Sequence, residues 1–247
     1  MTDTEIVLLV LGAAAGGFIN GLAGFGTALF ALGFWLQFLD PLRAVSIVVI
    51  LSVVSGLQGV WIVRHAIRAN TRRLARFLLP GILGVPLGIL SLSYINAELL
   101  KLGIAGMMLL YGGYFSVRRT LPTLTRPTPI IDSAIGGIGG VLGGAAALSG
   151  ALPTMWCALR PWTKAETRAV LQPYNVALLA LTGAIFLATG VYDRTSLTLI
   201  AIALPVALLA SWLGVLAFTR LQDRQFRRLL IAMMLVSGTG LALRTLS

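Results

Sequence analysis

The chain has 247 residues, 57% of them hydrophobic and only 11% charged, with a formal net charge of +11. An ordinary soluble domain carries about 25% charged residues, so that class is excluded. The basic excess does not indicate a nucleic-acid binder, because Lys and Arg lie in short loops between apolar runs and form no separate basic domain.

The opening "MTDTEIVLLV" is acidic and has no small-residue cleavage site, so it reads as retained rather than as a signal peptide. Apolar stretches then follow at 5–39, 44–63, 77–92, 99–117, 130–159, 169–189, 197–219 and 229–245. A run of about 20 residues crosses the hydrocarbon as a helix. Residues 5–39 and 130–159 are longer than one span, and each is interrupted by glycine, in "NGLAGFG" and "GGIGGVLGGAAALSG". Half of either stretch is shorter than a span, which suits one arm of a re-entrant hairpin.

Charge placement supports the hairpins. Arg64, Arg68, Arg72, Arg73 and Arg76 follow the second stretch, and Arg118, Arg119 and Arg126 the fourth. Arg160, Lys164 and Arg168 follow the fifth, and Arg220, Arg224, Arg227 and Arg228 the seventh. Arg43, Lys101, Arg194 and Arg244 remain elsewhere. If every stretch crossed once, the basic loops would fall on both sides of the membrane. If 5–39 and 130–159 return to the side they started from, all four rich loops are cytoplasmic, as the positive-inside rule requires. Both termini are then outside.

The halves also resemble each other. Gly12, Gly16 and Gly26 match Gly136, Gly140 and Gly150 at an offset of 124, and "RAV" at 43–45 matches 168–170 at 125. Pro80 matches Pro205, "MML" at 107–109 matches 233–235, and Gly112 matches Gly238. The expected fold is an all-α polytopic membrane protein made of two inverted repeats, 1–125 and 126–247. Each repeat is a glycine-broken hairpin plus three transmembrane helices. Inverted repeats are a transporter architecture with the substrate site near the midplane.

Irregular backbone at membrane depth must be buried in protein or face a watery cavity. A broken helix exposes N–H groups carrying partial positive charge, and glycine lets a small anion approach them. The first break supplies Asn20, Gly21, Gly24, Phe25, Gly26 and Thr27 as candidates. Ser149, Gly150 and Thr154 are their counterparts in the second. "LQPYN" adds Gln172, Tyr174 and Asn175 around Pro173, and Gln58 lies in the second stretch with Ser52 and Ser55. These amides and hydroxyls form a neutral donor site. Gly12, Gly16, Gly84 and Gly88 stand in small-xxx-small patterns and read as helix packing. Arg43 and Arg168 occupy matched positions after each hairpin, where they either sit at the mouths and attract an anion or anchor the helix ends at the interface, the second being slightly favoured.

All eight carboxylates fall at loops or stretch ends, so no intramembrane acid is expected. One cysteine, Cys157, excludes an intrachain disulfide, and the lone His65 sits beside Arg64 in a basic loop. No cofactor, metal or catalytic motif is expected, so the chain does not read as an enzyme.

"GGFINGLAGFGTALFALGFW" followed by "PLRAV", and "GGIGGVLGGAAALSGALPTMW" followed by "KAETRAVLQ", resemble the two signature segments of the TauE/SafE sulfite exporter family. "LPGILGVPLG" at 79–88 extends the resemblance, which covers essentially the whole chain. It implies a multi-pass carrier in the bacterial plasma membrane, taking sulfite, an organosulfonate or a related small organic anion. The second signature often reads Ser-Gly-Pro, and here it is Ser149-Gly150-Ala151, with Pro153 two residues on. A channel-like anion pore and a non-transporting scaffold are the alternatives. The partners expected are the small anion and membrane lipid, with no nucleic acid; a homo-oligomer stays open.

The topology has a direct check. In a Cys157→Ser background, Asn70→Cys and Lys164→Cys should resist an impermeant thiol reagent in intact cells and react after lysis. Strong labelling of either one from outside refutes the orientation.

Overall fold

A computed structural model describes residues 2–91 and 124–246, together with Gly106, Leu109 and Gly113. Among the described residues every regular element is helical. The stretch expected at 99–117 lies outside them, apart from those three residues, as do Lys101, Arg118 and Arg119.

The helices are α1 (Asp3–Ala23), α2 (Thr27–Trp35), α3 (Pro41–Ile62), α4 (Arg64–Ala69) and α5 (Thr71–Ser91). After the gap come α6 (Pro129–Ala146), α7 (Ala151–Ala158), α8 (Lys164–Ala188), α9 (Arg194–Arg220) and α10 (Asp223–Leu246). Six are long and apolar enough to cross a membrane: Asp3–Ala23, Pro41–Ile62, Thr71–Leu90, Pro129–Ala146, Lys164–Ala188 and Arg194–Arg220. Exposed leucines along α5 (Leu79, Leu83, Leu87 and Leu90) leave an apolar flank of the kind lipid covers.

Both glycine-rich stretches break, but not into equal arms. α1 has 21 residues and α2 nine; α6 has 18 and α7 eight. At about 1.5 Å per residue the long arms reach roughly 27–31 Å and the short ones about 12–14 Å. The arms therefore differ from the expected pairs of half-length arms. The physical reason is that most glycines in these stretches stay helical, and the chain turns only at 24–26 and 147–150. α2 folds back along α1, where the Trp35 indole N–H donates to the Leu9 carbonyl at 3.1 Å. Gly12 makes room for that indole, and Gly16 for Thr27 and Ala31.

Helix starts are set by caps. Thr2 with Glu5 and Thr163 with Glu166 form reciprocal capping boxes, and the Asp40 and Asp193 carboxylates cap α3 and α9. The Thr163 box starts α8 five residues before the apolar stretch expected at 169.

Two close parallel crossings hold the bundle. Along α1, Gly17 lies against the Ala207 backbone and Gly21 against Ser211, while Gly214 lies against the Phe18 carbonyl. Along α6, Gly136 faces Phe77, Gly140 faces Gly81 and Gly144 faces Val85, while Gly88 faces the Val141 carbonyl. The long arm of each broken helix thus packs on a helix from the other half of the chain. The environments of Gly17 and Gly21 correspond to those of Gly140 and Gly144, and that of Gly214 to Gly88. This contact register is 123 in the broken helices and 126 between α5 and α9. It shifts the glycine pairing read from sequence by one residue, because Gly12 and Gly16 face their own short arm. α3 and α8 pack between the two crossings.

Arg43 joins the starts of α3 and α9 through Asp40 at 3.3 Å and Asp193 at 2.9 Å. The Asp193 carboxyl is held below its ordinary range, first by the Ser196 backbone N–H and also by Arg43. At the other end, Lys164 donates to the carbonyls of Phe218, Thr219 and Leu221, closing α8 against the end of α9.

Asp132 lies at a stretch end, as its place in the sequence implies, yet it is enclosed by protein. It is buried at the start of α6, where its Oδ1 accepts from Trp156 Nε1 at 2.7 Å and Arg160 at 3.0 Å. Position at a stretch end did not imply exposure, because α7 folds Trp156 and Arg160 back over it.

Gly140→Ala puts a methyl into the Gly81 carbonyl and should cost about 1–3 kcal/mol through overpacking. Gly33→Ala, with nothing within 4 Å of the new carbon, should leave the thermal unfolding midpoint in detergent unchanged. Equal midpoints for the two variants contradict the crossing.

Candidate functional site

The first break is Gly24-Phe25-Gly26. Both glycines are left-handed, with φ of 87° and 97°, a region costly for residues with a Cβ. Gly24 N–H still closes on the Asn20 carbonyl at 2.8 Å. A Cβ on Gly24 would also stand 2.8 Å from Gln172 Oε1.

The second break is built differently. Its left-handed residue is Ala147, at φ 55°, whose N–H closes on the Gly143 carbonyl at 3.0 Å while the Leu148 N–H reaches back to the Leu142 carbonyl at 3.2 Å. Gly150 is right-handed at φ −80°. Its missing side chain is needed for space, since a Cβ would lie 2.6 Å from the Phe25 Cβ. The two breaks therefore touch, Phe25 on Gly150. Neither α2 nor α7, the short helices that start here, has a side-chain cap on its first turn.

Buried polar side chains surround this contact. Asn20 donates through Nδ2 to the Ser52 carbonyl at 3.1 Å and to Ser55 Oγ at 2.8 Å. Ser149 Oγ donates to Asn175 Oδ1 at 2.5 Å. Gln172 Nε2 donates to the Gly56 carbonyl at 3.1 Å. Asn20 Oδ1, Thr27 Oγ1, Ser52 Oγ and Thr154 Oγ1 are buried without a hydrogen-bond partner among the described residues. Buried polar atoms are paired in the great majority of cases, so this concentration of exceptions marks the place.

The structure brings Asn20, Gly24, Gln172 and Gly56 together on one side, and Ser149 with Asn175 on the other. Phe25 and Gly150 form the contact between the breaks, with Gly26 opening α2 and the Thr27 and Thr154 hydroxyls buried in the first turns of the short helices. Three sequence candidates stand apart. Gly21 is spent on the Ser211 crossing. Tyr174 donates to the Gly136 carbonyl at 2.7 Å and packs on α5 and α6. Gln58 is only half-buried, off the face that carries Ser52, Ser55, Gly56 and Gly59.

Asn20 spends its Nδ2 on Ser52 and Ser55 and leaves an acceptor, Oδ1, unpaired. Arg168, slightly favoured from sequence as an anchor, is fully buried in the second turn of α8. Its Nε donates to Gln172 Oε1 at 3.1 Å, and its Cζ lies 4.3 Å from the Phe218 ring centroid. Its Nη1 and Nη2 have no hydrogen-bond partner among the described residues. The capping signature Thr163-x-x-Glu166 was the sequence signal that could have placed Arg168 inside the helix. Among the described residues no three His, Cys, Asp or Glu side chains cluster as metal ligands.

Six apolar helices, lipid-type flanks and broken helices meeting in the interior define a multi-pass membrane protein. The profile of the family described as Sulfite exporter TauE/SafE matches residues 8–241, and the chain belongs to that family of membrane transporters. Comparisons with curated proteins and with solved structures find no match.

Ser149→Ala leaves Asn175 Oδ1 buried and unpaired, which costs about 1–3 kcal/mol. The unfolding midpoint should fall, and adding Asn175→Leu should recover much of the loss. Independent, additive losses rule out the Ser149–Asn175 bond.

Proposed function

We propose that the protein is a secondary carrier of a small oxyanion, sulfite or an organosulfonate, working by alternating access around a midplane site where the two helix breaks meet. The observation that carries this reading is the contact of Phe25 with Gly150 beside the buried Thr27, Ser52 and Thr154 hydroxyls, which lack partners. A closed structural packing has no use for such atoms, whereas a polar ligand completes them.

In this reading residues 1–125 and 126–247 are two inverted repeats, and the breaks are the tips of re-entrant hairpins. The exchanged crossings, α1 on α9 and α6 on α5, support it, because equivalent glycines meet equivalent partners in both. The carrier sits in the plasma membrane with both termini outside and the loops at 64–76, 118–129, 160–168 and 220–228 cytoplasmic. The family match supports the transport class.

Reconstituted protein should move sulfite across liposomes with saturable kinetics. Non-saturating flux favours a channel-like pore, and no flux of sulfite or ethanesulfonate by folded protein favours a scaffold. Thr27→Val and Thr154→Val remove hydroxyls that no protein group needs, so the unfolding midpoint should hold or rise. The KM should nevertheless rise by roughly two- to tenfold, the value of one hydrogen bond. Unchanged transport in both variants refutes the site.

A further inference from the structure

Two buried arginines are present among the described residues, and they are held in opposite ways. Arg160 spends Nη1 on the Leu124 and Arg126 carbonyls and Nη2 on Thr128 and Asp132. Arg168 has 0% of its surface exposed, and neither Nη1 nor Nη2 has a hydrogen-bond partner among the described residues. No carboxylate there is in ion-pair contact with it. Its sequence match Arg43 is half-exposed and paired with Asp40 and Asp193. Sequence equivalence thus hides a difference: one cation is neutralised within the chain and the other is not.

The surroundings fix where an anion would meet it. Nε is committed to Gln172 Oε1, which orients the guanidinium. Phe218 covers it at 4.3 Å. Gly59 contributes no side chain here, and a Cβ there would stand 2.7 Å from Nη2. Gln172 in turn lies against Gly24 of the first break and Gly56 of α3. The edge left over is the Nη1–Nη2 pair, a planar fork that matches two oxygens on one atom and has no such match with a spherical ion. A buried charge without a partner is strongly unfavourable, so the arrangement is stable only with an anion there or in a state that admits one.

We propose that Arg168 is the cation that binds the transported anion, and that its free Nη1–Nη2 edge selects oxyanions with two equivalent oxygens on one atom over halides. This rests on the carrier reading above and adds to it the charged group and the basis of selectivity.

The test uses the full chain in detergent, with sulfite, ethanesulfonate and chloride as probes at matched ionic strength and thermal stabilisation as the readout. Sulfite and ethanesulfonate should stabilise the wild type and chloride should not. Arg168→Gln should abolish the stabilisation. Arg168→Lys keeps the charge without the fork and should bind at least tenfold more weakly. Arg72→Gln, which removes an exposed charge, should behave as wild type. Wild-type affinity in Arg168→Gln overturns this inference and leaves the carrier reading intact. If Arg168→Gln fails to fold, wild-type affinity and selectivity in Arg168→Lys overturns it in the same way. Equal stabilisation by chloride overturns the oxyanion selectivity. Absence of any anion effect on the wild type, together with absence of flux, overturns the carrier reading itself.

Discussion

Helices surrounded by lipid gain little from hiding apolar surface from one another, so contact must be made by close fit. In this chain the fit is made by absent side chains. Gly17, Gly21 and Gly214 allow α1 and α9 to touch backbone to backbone, and Gly140, Gly144 and Gly88 do the same for α6 and α5. Each crossing ties a broken helix of one half to an unbroken helix of the other. The position of both breaks follows from that, because the long arms are clamped and only the short arms remain to be placed.

The breaks reach a common point by different local means. Two left-handed glycines turn the first, whereas a left-handed alanine turns the second, with the Leu148 N–H reaching back to the Leu142 carbonyl. The glycine of the second break serves its neighbour, giving Phe25 room. The polar groups around them are equally unlike. Asn20 is tied to α3 with its carbonyl oxygen free, while Ser149 and Asn175 satisfy one another. Similar backbones are therefore surrounded by different polar groups, and the Arg168 guanidinium is joined to the first break through Gln172.

Much of this was legible in the amino-acid order, and the failures have physical causes. Apolar runs announce helices in lipid, and the glycine clusters announced the two breaks. What the clusters could not reveal was which glycines turn the chain and which merely thin it. Gly136 and Gly140 look like helix breakers and are helical; Ala147 looks helical and is left-handed. That choice depends on what stands opposite, which is a long-range property. Tyr174 and Gln58 lie near the other polar residues along the chain and face elsewhere, because a helix distributes neighbours over all its faces. The burial of Arg168 was hidden for the converse reason. Hydropathy started the helix at the first apolar residues, whereas the Thr163–Glu166 cap starts it earlier and carries Arg168 inward. Asp132 likewise lies at a stretch end and is covered by a segment that folds back from residues 156–160.

Pro173 lies inside α8, between Gln172 and Tyr174. Having no N–H, it cannot donate to the carbonyl of Ala169, so one rung is missing from the backbone ladder. The Arg168–Gln172 side-chain bond spans the same turn, displaced by one residue. At this level a bond between two side chains stands beside the missing rung, while the helix runs on through the neighbouring rungs. A backbone rung is insulated from its surroundings by the helix around it. A side-chain bond is not, and its strength varies with whatever else shares the guanidinium, so the local rigidity of the helix and the electrostatics around the guanidinium are set by the same pair of residues.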